Sequence, residues 1–281
     1  MNITKILEKT SKKVIPKSVF PEFRELAKAV YGLSTVKPMP SDVFLVSYPR
    51  SGNTWVRLII ANILFPQRDI KSLRELELLV PGLHRYTKYN YRSVSNKLVI
   101  KSHFSRPCNP NTGTHNPVIY VVRNPVDVAK SYFDYKLKNN DLTRDLSIEA
   151  FVDMLVNGAI FPCSWSEHVS SWVGAPYSGK LLLVKYEDLL EDTTSEIRNI
   201  ASFLDHDLSI EEAEIIKRAT TRERMIALEK RAPLGDTDHD HVRRQPEQRD
   251  VDFTMTNTLA AKILEHSRDG LNAADYDHLH S

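Results

Sequence analysis

Along the chain, short continuous apolar runs alternate with longer stretches in which apolar residues recur every three or four positions. Four runs, residues 42–47 (DVFLVS), 98–101 (LVIK), 118–123 (VIYVVR) and 181–186 (LLLVKY), are rich in Val, Ile and Leu. None alternates cleanly between polar and apolar, the pattern expected of strands covered on both faces. Between them, residues 54–65 place Trp55, Leu58, Ile59 and Ile63 at helical spacing. Residues 126–137 do the same with Val126, Ala129, Phe133 and Leu137. The final third is mostly helical. Thr193 with Glu196, and Ser209 with Glu212, read as capping boxes that open helices running through Leu204 and Ala219. A last helix covers about 257–266. Alternating strand and helix predicts an α/β fold, with a parallel sheet and right-handed crossovers. Ligands in such sheets bind outside the carboxyl ends of the strands.

Residues 1–30 form two short amphipathic pieces broken at Pro16 and Pro21, and within residues 1–28 seven Lys or Arg oppose three Glu. This stretch is either a basic arm for a membrane surface or partner, or a solvated leader packed on the domain, which is the simpler reading. The chain therefore divides into an N-terminal helical extension, 1–40, and an α/β domain, 41–281. Lys5, Glu8, Lys9, Lys12 and Lys13 interrupt any secretory apolar core. The longest apolar run, 58–65, is too short for a transmembrane segment. Across 281 residues, 38 Lys and Arg nearly cancel 36 Asp and Glu, leaving a net charge of +2 and no field suited to nucleic acid. Cys108 and Cys163 form one bridge at most, and a chain this long needs none, so the expected location is cytoplasmic. With only nine glycines, one in a tight loop carries weight.

Chemistry concentrates at the strand ends. Residues 48–55 (YPRSGNTW) follow the first strand and open a helix, the place where backbone N–H groups and the helix dipole make an anion cradle. Gly52 allows close backbone approach, Ser51, Asn53 and Thr54 supply short donors, and Arg50 supplies a cation for bidentate contact. Trp55 either stacks on a base or anchors the helix. The Walker A spacing and its Lys are absent, and an ordinary strand–helix turn would have the same placement. Lys101-Ser-His103 ends the second strand, where His103 is either a structural imidazole or a general base beside a cation. Residues 123–131 (RNPVDVAKS) again run from strand into helix. Pro125 fits the first turn, Asp127 favours the helix N-terminus, and Arg123 and Ser131 are placed for a second anion. Residues 236–241 (DTDHDH) offer metal ligands but read as a polar surface loop.

These motifs resemble those of the sulfotransferases that use 3′-phosphoadenosine 5′-phosphosulfate (PAPS). YPRSGNTW resembles the family's 5′-phosphosulfate loop, RNPVDVAKSYF its 3′-phosphate motif, and VKYEDLLEDTTSEIRNIASFLD the strand–helix block that follows. The resemblance covers about 42–254, with weaker similarity between the first helix and Leu98. It implies a three-layer, P-loop-like fold in which helices flank a central parallel sheet. It also implies PAPS as co-substrate, 3′,5′-bisphosphoadenosine (PAP) as product, no metal, and a small hydroxyl-bearing acceptor. By the same resemblance, Arg50, Ser51, Gly52, Asn53 and Thr54 hold the 5′-phosphate and sulfuryl group. Trp55 and Tyr186 contact adenine, Arg123 and Ser131 hold the 3′-phosphate, His103 is the base, and Lys101 assists at the sulfuryl oxygens.

Three departures from the family pattern stand out. Arg50 occupies the usual place of a Lys. Residues 242–254 (VRRQPEQRDVDFT) keep Arg243 and Arg244 as phosphate ligands without the family's glycines and Trp. Thr220 and Met225 match a segment lining the adenine, with Arg222 where an aromatic ring is usual. Tyr86, Tyr89, Tyr91, Tyr132, Phe133 and Tyr135 suit an apolar or ring-bearing alcohol, or serve packing alone. Two other classes stay open: a P-loop kinase-like phosphotransferase, which needs Mg²⁺ and a Walker A Lys, and a non-catalytic nucleotide-binding protein of the same fold. The sequence is also compatible with a homodimer.

Overall fold

The computed structural model describes residues 36, 38–83, 90–106, 115–139, 141–142, 146–231 and 255–276. The expectations for the N-terminal extension, Tyr86, Tyr89, Cys108, the 236–241 run, Arg243 and Arg244 fall on residues outside this set.

One sheet is built from β1 (Val43–Ser47), β2 (Val99–Ser102), β3 (Val118–Val122) and β4 (Leu181–Lys185). Its order is β2-β1-β3-β4 and every neighbouring pair is parallel. Alternate residues feed two separate cores: Phe44, Val46, Tyr120 and Val122 into one, Val43, Leu45, Ile119 and Val121 into the other. Both faces of the sheet are covered, which explains why the apolar runs lack polar alternation.

The first face is closed by α3 (Pro125–Lys138), α4 (Ile148–Val156), α5 (Trp165–Val169), α10 (Asn257–His266) and α11 (Arg268–Ala273). The second is closed by α1 (Asn53–Leu64), α2 (Leu73–Leu79), α7 (Thr193–Phe203), α8 (Ile210–Ala219) and α9 (Arg222–Arg231). The short α6 (Tyr186–Glu191) joins β4 to α7. The result is the α/β fold with a parallel sheet that the alternation predicts, in the three layers that the resemblance implies. Each fully buried Leu, Ile, Val or Phe in these layers stabilises the fold by about 1.5–3 kcal/mol relative to exposure.

Several boundaries differ from the sequence reading. Arg123 and Tyr186 fall just beyond their strands, because Asn124 already caps α3 and Tyr186 already opens α6. The Thr193–Glu196 capping box is not formed. Asp192 caps α7 instead, its carboxylate accepting from the Ser195 N–H at 3.1 Å, while Thr193 is the first helical residue and donates its hydroxyl to Leu189 O at 2.8 Å. The Ser209–Glu212 box is formed in both directions. From β1 the chain passes to β2 on one side and then crosses to β3 on the other side of β1. The loops after β1 and β3 therefore flank the crevice where strand order reverses.

Candidate active site

The loop after β1 is rigidly placed. Tyr48 is buried beneath it, donating its hydroxyl to Cys163 O at 3.0 Å and packing edge-on against Tyr132 and His168. Arg50 adopts a left-handed φ of 71°, a conformation that costs a non-glycine residue of order 1 kcal/mol. Gly52 has φ 97°, and a Cβ there would lie 2.5 Å from Cδ2 of Tyr186. Gly52 also precedes α1 without providing a side-chain cap; the Trp55 N–H turns back to Gly52 O at 3.0 Å, and the N–H groups of Asn53 and Thr54 are the ones placed for ligand oxygens.

Six buried side-chain polar atoms among the described residues have no hydrogen-bond partner, and four belong to this region: Ser51 Oγ, Asn53 Oδ1, Trp55 Nε1 and Arg123 Nε. Folded proteins rarely leave such atoms unsatisfied, so their concentration marks the place of a polar ligand. The loop after β3 supplies the second wall. Arg123 donates from Nη1 to Arg50 O at 3.4 Å and pairs through Nη2 with Asp127 at 3.5 Å. Its guanidinium lies 4.4 Å from the centroid of the Tyr186 ring. Arg50 in turn donates from Nε to Ser131 Oγ at 3.2 Å and stacks 4.7 Å over Tyr135. Burial pushes the Tyr135 phenol above its ordinary range, partly offset by the Arg50 charge. Trp55 and Tyr186 meet edge to face, centroids 5.8 Å apart. Arg50 and Arg123 from the two loops, Trp55 from α1, Ser131 from α3 and Tyr186 from α6 thus converge.

His103 follows β2. Its Nδ1 lies 2.8 Å from Ser47 O, and a carbonyl only accepts, so Nδ1 carries the proton. In the neutral imidazole the basic lone pair is then on Nε2. Ser47 Oγ, 3.3 Å from the same nitrogen, is held by Asn53 Nδ2 at 3.1 Å, which ties the phosphate-type loop to the imidazole. The backbone of His103 is fixed as well: its carbonyl accepts from His168 Nε2 at 3.1 Å, and His168 Nδ1 accepts from the Tyr120 hydroxyl at 2.7 Å. Complete burial lowers the His168 pKa to about 3, so it stays neutral and keeps one donor and one acceptor.

Lys101 sits opposite Leu45 in β2. Its backbone is locked on the outer edge, N–H to Pro81 O and carbonyl from Leu83 N–H, both at 2.8 Å. That edge is braced by a buried ion pair. Arg57 on α1 reaches Glu77 at 2.9 Å and Val80 O at 3.1 Å, and Glu77 accepts from the Gly82 N–H at 2.7 Å. Thr220 is not tied to the two loops by a hydrogen bond. It is buried at the end of α8, its hydroxyl donating to Lys217 O at 3.3 Å.

Sequence reasoning missed Ser47, Tyr120 and His168. Tyr120 interrupts an aliphatic run and His168 lies just inside a helix capped by Ser164, which were the available signals.

The family model for the sulfotransferase domain matches residues 40–274 of the chain. Amine sulfotransferase of Oryctolagus cuniculus is 32% identical over 192 residues, which cover 66% of this chain and 62% of the relative. Sulfotransferase 1B1 of Mus musculus is 31% identical over 196 residues, 66% of each chain. The matches thus span slightly less than two thirds of these relatives' length. The crystal structure of mouse sulfotransferase SULT7A1 complexed with PAP has the same fold, with a TM-score of 0.65 at 22% identity over 88% of this chain and 89% of that one.

Proposed function

The chain belongs to the sulfotransferase family, and on that premise we propose that it moves a sulfuryl group from PAPS to the hydroxyl of a small-molecule, lipid or carbohydrate acceptor. The observation that carries this reading is the set of four unpartnered buried polar atoms on the loops after β1 and β3 and the first turn of α1, beside two stacked arginines. A doubly phosphorylated adenosine supplies what both loops lack, and the mouse relative is a PAP complex.

In this reading Arg50, Ser51, Gly52, Asn53 and Thr54 hold the 5′-phosphate and sulfuryl oxygens. Arg123 and Ser131 hold the 3′-phosphate. Trp55 and Tyr186 border the adenine with Thr220 behind α8, and Arg243 and Arg244 add charge from the late loop. The acceptor O–H gives its proton to Nε2 of His103 while its oxygen bonds to sulfur. The bond from sulfur to the 5′-phosphate oxygen breaks, and its electron pair leaves on PAP. Lys101 and Arg50 meet the charge growing on the sulfuryl and leaving-group oxygens, so fixed cations do the work of a divalent metal. A base held as His103 is contributes about 10²–10⁴-fold. A homodimer is compatible with this reaction.

A cytoplasmic site of action belongs to this reading, since a chain of 281 residues with two cysteines needs no disulfide to hold its core. No helix among the described residues is long and apolar enough to cross a membrane.

Calorimetric titration with PAP and with ATP, each with and without Mg²⁺, tests the donor assignment. PAP is expected to bind without metal and ATP only weakly. Mg²⁺-dependent ATP binding with weak PAP binding would establish the phosphotransferase instead.

A further inference from the structure

The loop that carries Arg123 is held from behind by a carboxylate with no part in the proposed reaction. Glu187 follows Tyr186 in α6. Its Oε1 accepts from the backbone N–H of Asn124 at 2.9 Å, and its Oε2 accepts from the hydroxyl of Tyr276 at 2.6 Å. Asn124 is itself the cap of α3, accepting from the Val126 N–H at 2.9 Å. Glu187 therefore fixes the peptide that joins Arg123 to α3.

Tyr276 reaches this carboxylate from the C-terminal turn. The turn closes through the Tyr276 N–H on Leu271 O at 3.0 Å, with Asp275 in a left-handed φ of 58°. Lys185, the last residue of β4, donates to Asp275 O at 2.7 Å and lies 5.2 Å from the Tyr276 ring centroid. The consecutive residues Lys185, Tyr186 and Glu187 thus connect the C-terminal turn, an aromatic ring of the site and the loop after β3. Tyr276 is fully buried. Burial and the neighbouring Glu187 carboxylate push its ionisation far above the ordinary phenol range, so its proton stays in the bond.

We infer that Tyr276 is a positioning residue for the 3′-phosphate, acting through Glu187 on Asn124 and so on Arg123. Losing its hydroxyl takes the partner from one oxygen of a half-buried carboxylate, and Glu187 then shifts toward water or another donor. The Asn124 peptide loses its fixed acceptor geometry, and Arg123 loses the backbone that aims it. The 5′-phosphate loop after β1 meets this chain of contacts only at its far end, where Arg123 Nη1 donates to Arg50 O at 3.4 Å. The effect is therefore expected to be larger for nucleotides that carry a 3′-phosphate.

This inference rests on the donor proposed above, and the test separates the two. PAP and adenosine 5′-monophosphate, which lacks the 3′-phosphate, are titrated calorimetrically into wild type and Tyr276→Phe. Wild type is expected to bind PAP more tightly than the monophosphate. Tyr276→Phe is expected to lose roughly three- to thirtyfold in PAP affinity and less than about twofold for the monophosphate. Equal losses for both nucleotides, or no loss for either, overturn the role of Tyr276. A wild type that does not distinguish the two nucleotides overturns the donor reading itself, and this inference with it. Thermal melting reports folding. Should Tyr276→Phe not fold, Glu187→Ala carries the same test, with the same selective loss expected and the same outcomes overturning it.

Discussion

A methyl group added at Gly52 would meet the Tyr186 ring at 2.5 Å, on a backbone whose φ of 97° already excludes most side chains. Gly52→Ala is therefore expected to displace Tyr186 and tilt the first turn of α1. PAP affinity should fall by at least about tenfold and stability by about 1–3 kcal/mol, read by calorimetry and thermal melting. Unchanged binding would place the nucleotide elsewhere. At this scale the sequence was legible where a residue's task depends on its immediate neighbours. Gly52 stood out because glycine is scarce and follows a strand, and Arg123 and Ser131 because about two helix turns separate them across a strand–helix junction. Ser47 and His168 were not legible. Their tasks arise from pairing with His103 across 56 and 65 residues of chain.

The strands were readable because burial on both faces removes polar alternation, and the Ser209–Glu212 box because both of its bonds are local. The Thr193–Glu196 reading slipped by one residue because Asp192 is also a capping residue, and a carboxylate at the helix start is favoured by the dipole. The brace between α1 and α2 left no sequence signal, since Arg57 and Glu77 are 20 residues apart and look like any surface pair until burial is known. That brace has a measurable consequence. Glu77→Ala leaves the Arg57 guanidinium buried without its carboxylate and frees the Gly82 N–H, costing roughly 3–5 kcal/mol. A melting temperature within error of wild type would show that the pair does not hold this edge. Pairing Glu77→Leu with Arg57→Met should recover most of the loss, because the unpaired charge is then gone.

For the molecule as a whole, a net charge of +2 says little until the fold assigns places to the charges. The sheet order puts the loops after β1 and β3 on one crevice, and there Arg50 and Arg123 lie against Ser131, Tyr135 and Tyr186. The α/β fold with its parallel sheet followed from the alternation of apolar runs with helical spacing. The convergence of the two basic loops required the strand order, which the sequence alone does not state. Beside that crevice, the Ser47 carbonyl orients His103 so that its lone pair sits on Nε2. The most direct test of the account is transfer of radiolabelled sulfate from PAPS to a panel of phenols, lipid alcohols and sugars, by wild type and by His103→Ala. The account predicts transfer to at least one class of hydroxyl by wild type, and transfer slower by at least roughly 10²-fold in His103→Ala with PAP affinity retained. Near-wild-type turnover in His103→Ala, or tight PAP binding without transfer to any acceptor, would contradict it.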